Sequence, residues 1–325
     1  DSILRRKLIL KGGPGVGKST FMRRVHAALC ANGEPSTLYF CSGDPDSLDG
    51  VAVPHAGLLI LDGTAPHIVD PEIPGARDSI INLGECLNEP AMRPRLSPIR
   101  ACMADNAACS RRARASLAAA AALARENAAF LQSAADTKRL FRMTQALIQA
   151  VLVPSAPTEA APSLRPVITE AMTPKGEISL IAENAQPRVI RLLFHWGMDG
   201  TPVLRQLSAA ARAAGYSTEE HLCPTVPGRL LHVGIPALST LVTTSEQLTA
   251  EQTFDFAACI PRGALLRHEC ALEQGRAGIQ LHLHRAGAAL AQAKELHDEL
   301  EPFYVPNMDF AKWQTILDRT LESLK

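Results

Sequence analysis

No apolar run in this sequence approaches the roughly 18–20 residues that carry a helix across a bilayer. No leader-like series is visible at its start. Neither sign of charge is in excess, with Lys plus Arg and Asp plus Glu at 33 each. That balance argues against a whole-surface attraction to nucleic acid or to an anionic membrane. The eight cysteines (Cys30, Cys41, Cys86, Cys102, Cys109, Cys223, Cys259 and Cys270) form no CxxC pair and no zinc spacing. Buried, reduced thiols in a cytoplasmic protein are expected from such a scatter. Aromatic residues are only 4%, so the core should be aliphatic. What is there is 325 residues, 46% hydrophobic and 20% charged, a globular composition long enough for about two domains.

The most informative stretch is KLILKGGPGVGKSTFMRRVHAALCA, residues 7–31. LIL is a short strand-forming run. Gly12 to Ser19 fit GxxxxGK[ST], and Phe21, Met22, Val25, Ala28 and Leu29 are spaced to make one apolar helical face. Strand, glycine-rich turn and helix in that order are the context a P-loop requires. The glycines permit backbone conformations closed to other residues. Successive N–H groups can then turn inward as an anion nest, aided by the positive end of the helix. The expected binding stretch is Gly13, Pro14, Gly15, Val16, Gly17, Lys18, Ser19 and Thr20. Lys18 would reach the β- and γ-phosphates, the Ser19 hydroxyl would ligate Mg²⁺, and Thr20 would face the α-phosphate.

A second strand, STLYFC at 36–41, leads into SGDPDSLDG, which carries Asp44, Asp46 and Asp49 toward the carboxyl edge of the sheet. Ligands of open α/β folds collect at that edge. A third strand, GLLILD at 57–62, closes on Asp62, the pattern of a carboxylate that holds Mg²⁺. An Asp capping the next turn is the alternative. Gly63 follows, so no adjacent Glu is available to activate water. Asp44 and His67 are the expected water-positioning groups, His67 having a plain loop hydrogen bonder as its other reading. No [NT]KxD guanine motif occurs, which favours ATP over GTP.

A shift of 182 residues lays the chain on itself. Arg6 falls on Arg188, Gly15 on Gly197, Arg23 on Arg205, Gly33 on Gly215, Cys41 on Cys223, Leu48 on Leu230 and Leu59 on Leu241. This is an internal duplication with a period longer than any solenoid repeat. In the second copy FHWGMDGTPVL replaces the phosphate loop. Lys18 becomes Gly200, Gly17 becomes Asp199, Thr20 becomes Pro202 and Asp62 becomes Thr244. The expectation is a degenerate nucleotide site retained as a structural or regulatory lobe. A site remade for another ligand, lined by His195, Trp196 and Asp199, is the alternative.

Residues 98–152 are rich in Ala and Arg and read as one long helix or a helical hairpin. Arg93, Arg95, Arg100, Arg111, Arg112 and Arg114 read as a solvated face, with a phosphate lid or a surface for an acidic partner as the alternative. VPSAPTEAAPSLRP at 153–166 reads as a linker. Its place predicts an active domain over 1–152 and a degenerate repeat with C-terminal helices over 167–325. His297, Asp298 and Glu301 share a helical face, read as solvated with a metal cluster as the alternative.

In combination, LKGGPGVGKST, CSGDPDSLDG, ILDGTAPHIVDP, INLGE, AMTPKG and AKELHDELEPFYVPNMDF resemble a bacterial family of two-repeat P-loop ATPases. The resemblance implies ATP binding and P-loop-like halves in both copies. It also implies a segment like AMTPKG ahead of each half. With a first residue other than Met, that suggests a chain continuing upstream of residue 1.

The expected architecture is therefore α/β: tandem P-loop NTPase-like three-layer αβα domains with mostly parallel sheets and Ala-rich helical insertions. The two repeats would pack as an intramolecular pseudo-dimer with no membrane partner. The expected activity is slow ATP hydrolysis with ATP and Mg²⁺ as cofactors, Lys18, Asp62, Asp44 and His67 acting catalytically and Ser19 and Asp62 holding the metal. A small-molecule or nucleotide kinase, and a non-catalytic ATP-gated switch, are the two rivals.

Overall fold

Leu8, Ile9 and Leu10 are all fully buried, as befits a strand covered on both faces. They belong to β1 (Arg6–Lys11). In the computed structural model, which describes residues 4–65, 67–152 and 161–324, this strand leads through the glycine-rich turn to α1 (Lys18–Ala31). Then follow β2 (Thr37–Phe40), β3 (Leu48–Val53), β4 (Leu58–Asp62), β5 (Asp78–Asn82) and the short α2 (Glu89–Met92). The sheet order is β2-β3-β4-β1-β5. Both neighbours of β1 run parallel to it, whereas β2, β3 and β4 form an antiparallel meander. The chain is thus mixed α/β. The strand ending in Asp62 is the fourth, not the third, because LDGVAV forms a strand where only a loop is expected.

Two long helical segments frame the second half: α3 (Leu96–Ala134) with α4 (Thr137–Val151), and later α6 (Arg262–Tyr304) with α7 (Phe310–Glu322). Between them come β6 (Leu164–Val167), the hairpin β7 (Glu170–Thr173) and β8 (Gly176–Ser179), then β9 (Arg188–Leu193), α5 (Thr201–Ala213), β10 (Thr218–Leu222), β11 (Leu230–Ile235), β12 (Thr240–Thr243) and β13 (Gln252–Asp255). Their sheet has the order β13-β9-β12-β11-β10-β6. Strand for strand this repeats the first sheet, with β6 added beside β10.

Equivalent hydrogen bonds recur at the same spacing of 182. Leu48 N–H donates to Ser19 Oγ (3.1 Å) and Leu230 N–H to Thr201 Oγ1 (2.9 Å). Arg23 donates to the Asp46 carbonyl and Arg205 to the Gly228 carbonyl. Arg6 N–H bonds Gly57 O, and Arg188 N–H bonds Ser239 O. Gly57 (φ 61°) and Ser239 (φ 47°) share the left-handed conformation, which glycine takes without strain and serine does not.

The compact units do not part at 153–166. One comprises 1–112 with 288–325, the other 113–287. In the first, Trp313 and Leu317 of α7 join Phe21, Met22 and Val25 of α1 and Leu8, Leu10, Val51 and Ile60 of the sheet in one core. The C-terminal helix expected with the second repeat therefore completes the first. In the second unit, Leu147 and Val151 of α4 pack with Val203, Leu204 and Leu207 of α5 and with Ile190 and Val233 of the sheet. Asp309 N–H bonds Cys86 O, and Asp136 N–H bonds Cys259 O, so α7 and α4 are anchored alike. Of the predicted linker, 153–160 lie outside the described residues, and 164–166 belong to β6. Pro166 is tolerated there because β6 is an edge strand.

All eight cysteines are free; Cys86, Cys109 and Cys259 are buried, while Cys30 and Cys270 are exposed. Among the described residues no helix is long and apolar enough to cross a membrane.

Candidate functional site

The turn between β1 and α1 has two glycines in the left-handed region, Gly15 (φ 67°) and Gly17 (φ 82°). Gly17 is the N-cap of α1, and no side chain caps that helix. Its positive end is therefore left to whatever the loop encloses. The neighbours of the loop come from the far end of the chain. A side chain added at Gly17 would meet the Trp313 indole at 3.2 Å, and one at Gly15 would meet Val305 at 2.8 Å and the Glu301 stem at 3.4 Å. The Tyr304 ring lies against Gly13. The glycines are thus required twice, by backbone angle and by close packing of α6 and α7.

Lys18 projects back along the loop. Its Nζ donates to the carbonyls of Gly12 (3.0 Å) and Gly13 (2.9 Å) and lies 3.6 Å from Asp62 Oδ2. Burial lowers the Lys18 pKa, an effect opposed by Asp62 and Asp49. The other Asp62 oxygen, Oδ1, accepts the Thr64 N–H (2.8 Å) and the Thr64 hydroxyl. Asp62 thus caps the following turn through Oδ1 and faces Lys18 through Oδ2. Beyond it, Lys11 Nζ donates to the Gly63 and Val69 carbonyls at 2.8 Å and pairs with Asp70. That pin shapes the loop bearing His67, which is exposed.

The predicted residues do not all converge. Asp44 is held within its own turn by the Asp46 N–H and the Ser47 hydroxyl, and its outward partner is Lys294 of α6 at 3.6 Å. The carboxylate coupled to the Lys18–Asp62 pair is Asp49 of β3. Burial raises its pKa, the Cys41 hydrogen bond, His67 and Lys18 oppose that rise, and Asp62 adds to it. The same neighbourhood drives the Cys41 thiol up to about 11, chiefly through burial and then through Asp49. Sequence reasoning placed Asp49 only in a string of loop aspartates. The strand period of LDGVAV was the available signal, masked by its Asp-Gly pair.

Ser19 and Asp62 suit a magnesium ion. Such an ion usually takes one or two protein oxygens and fills its shell with phosphate and water. Ser19 Oγ already accepts from Leu48 N–H, which fixes the hydroxyl and leaves a lone pair and its proton. Among the described residues, His297, Asp298 and Glu301 included, no group of three or more His, Cys, Asp or Glu is placed to hold a metal.

At the equivalent turn of the second unit, Asp199 Oδ1 accepts the Thr201 N–H at 2.9 Å and lies 3.6 Å from Arg229 Nε. A carboxylate of the chain itself thus occupies the helix end. Phe194 stacks on Phe256 and covers Gly200. Trp196 lies under the Arg276 guanidinium. No family model, curated protein or solved structure matches the chain.

Proposed function

We propose that the first unit binds Mg²⁺·ATP at Gly13–Thr20 and hydrolyses it slowly, and that the second unit binds no nucleotide. The reading agrees with the resemblance to two-repeat P-loop ATPases. The observation that carries it is the uncapped N-terminus of α1 behind a left-handed glycine turn, with Lys18 folded onto the loop carbonyls and against Asp62. Bound phosphate would draw Lys18 off Gly12 and Gly13, replacing neutral acceptors by a full charge. Ser19 and Asp62 would hold Mg²⁺, which neutralises phosphate charge when bound. The second unit lacks the lysine, and its helix end is already satisfied by Asp199.

The test is ATP binding and turnover with Mg²⁺ on the wild type and on Lys18→Ala. One nucleotide per chain is expected, with turnover falling by at least about a hundredfold in the variant, as for loss of one preorganised transition-state donor. Binding that survives Lys18→Ala, or two nucleotides per chain, would overturn the assignment of the second unit. Binding without turnover would leave a nucleotide-gated switch instead of an ATPase.

A further inference from the structure

The internal repeat is its own control experiment. The two units share strand order and hydrogen bonds at a spacing of 182, so the positions where chemistry was kept in one and lost in the other can be read directly. Lys18 stands opposite Gly200 and Asp62 opposite Thr244. A third member changes with them, since Asp49 stands opposite Leu231.

Register explains why the third belongs with the other two. Strands β3 and β4 pair antiparallel with Gly50 opposite Leu61. The pairing ends there; the same register continued by one step puts Asp49 level with Asp62. Cross-strand partners share a face, with Cβ atoms about 4.5–5.5 Å apart. In the second unit the same step brings Leu231 opposite Thr244, joined by the Thr244 N–H to the Leu231 carbonyl at 3.2 Å.

Like charges facing each other across a ladder destabilise it. Nothing in the packing of β3 asks for an acid here. Leu48, Val51 and Val53 carry the core contacts, and position 231 takes a half-buried leucine in the same fold. The facing pair of carboxylates occurs in the unit that also has the lysine and the uncapped helix.

We propose that Asp49 is the outer carboxylate of the Mg²⁺ site, holding the cation's bound waters from the strand beside Asp62. This rests on the reading of the first unit as a Mg²⁺·ATP site. Magnesium sheds water reluctantly and is commonly fixed through water by a second carboxylate. Asp49 is then a positioning residue.

The experiment measures ATP binding to the full chain by calorimetry in EDTA and over a magnesium titration, for wild type and Asp49→Asn. In EDTA the variant should bind ATP at least as well as wild type, because one negative charge is gone. In magnesium, the concentration giving half of the enhancement should rise at least about tenfold, the usual cost of losing an outer-shell partner. Asp49→Glu should bring that concentration back toward wild type. If Asp49→Asn does not fold, Asp49→Leu, copied from the second unit, is used for the same measurement. Coincident magnesium curves for wild type and variant would overturn the proposal. A wild type that binds no ATP at all would instead overturn the reading of the site, and the proposal with it.

Discussion

At the scale of single residues, the molecule assigns one oxygen to one task. Asp62 gives Oδ1 to its own turn and Oδ2 to Lys18. Ser19 takes an N–H from Leu48 while keeping what a cation needs. The survival of Thr201 in the second unit follows from this, since Thr201 does the same for Leu230. That hydroxyl is structural first. Elsewhere in the second unit, His221 is fully buried, its Nδ1 3.1 Å from Thr169 Oγ1, and its ring meets the His232 ring edge-on at 5.5 Å. His232 is bonded to Thr243 and to Glu170. Burial first, then His232 and Arg165, lower the His221 pKa to about 4. A histidine kept neutral in the fold stabilises above its unfolded pKa of about 6.5, and that contribution is lost as pH falls from about 6.5 toward 4. The loss amounts to on the order of 3 kcal/mol. Denaturant unfolding at pH 7 and pH 5 should show wild type losing more stability than His221→Asn; equal losses would contradict the assignment.

At the scale of elements, α7 supplies packing around the glycine-rich turn that the turn's own sequence does not contain. Trp313 is 5% exposed, meets Phe21 edge-on at 5.8 Å and closes on Gly17. Trp313→Ala should cost about 3–5 kcal/mol and weaken ATP binding, although Trp313 is nearly 300 positions from Lys18 in the chain. Urea unfolding and ATP titration of the same sample check both. The loop, its flanking strand and helix, and the strand ending in Asp62 were legible because each announces itself locally, by glycine spacing or an unbroken apolar run. Strand β3 was not, because four polar or small positions surround Leu48, and its Asp-Gly pair imitates a turn. The C-terminal helices were expected, but as part of the second repeat, and the apolar stripe of 310–322 packs on the first. That stripe carried no information on which sheet it would cover, since an apolar stripe fits any apolar surface of matching shape. The same limit hid the partner of α4.

At the scale of the molecule, two duplicated units have exchanged their last helices. The boundary that composition suggests at 153–166 is therefore not one at which the chain can be cut. A fragment of 1–152 contains every residue of the proposed nucleotide site, yet lacks Trp313 and Leu317 and carries α4 without α5. It should neither unfold cooperatively nor bind ATP, as thermal melting and nucleotide titration of the purified fragment would show; a folded, ATP-binding fragment would refute the exchange. The exchange also orders events during synthesis. The unit spanning 113–287 is continuous and can close while the ribosome is still making α6. The unit with the glycine-rich turn is built from two separated segments, 1–112 and 288–325, so its core waits for the helix at 310–322. Until that helix has been made, Phe21, Met22 and Val25 lack the Trp313 and Leu317 side chains that complete their core.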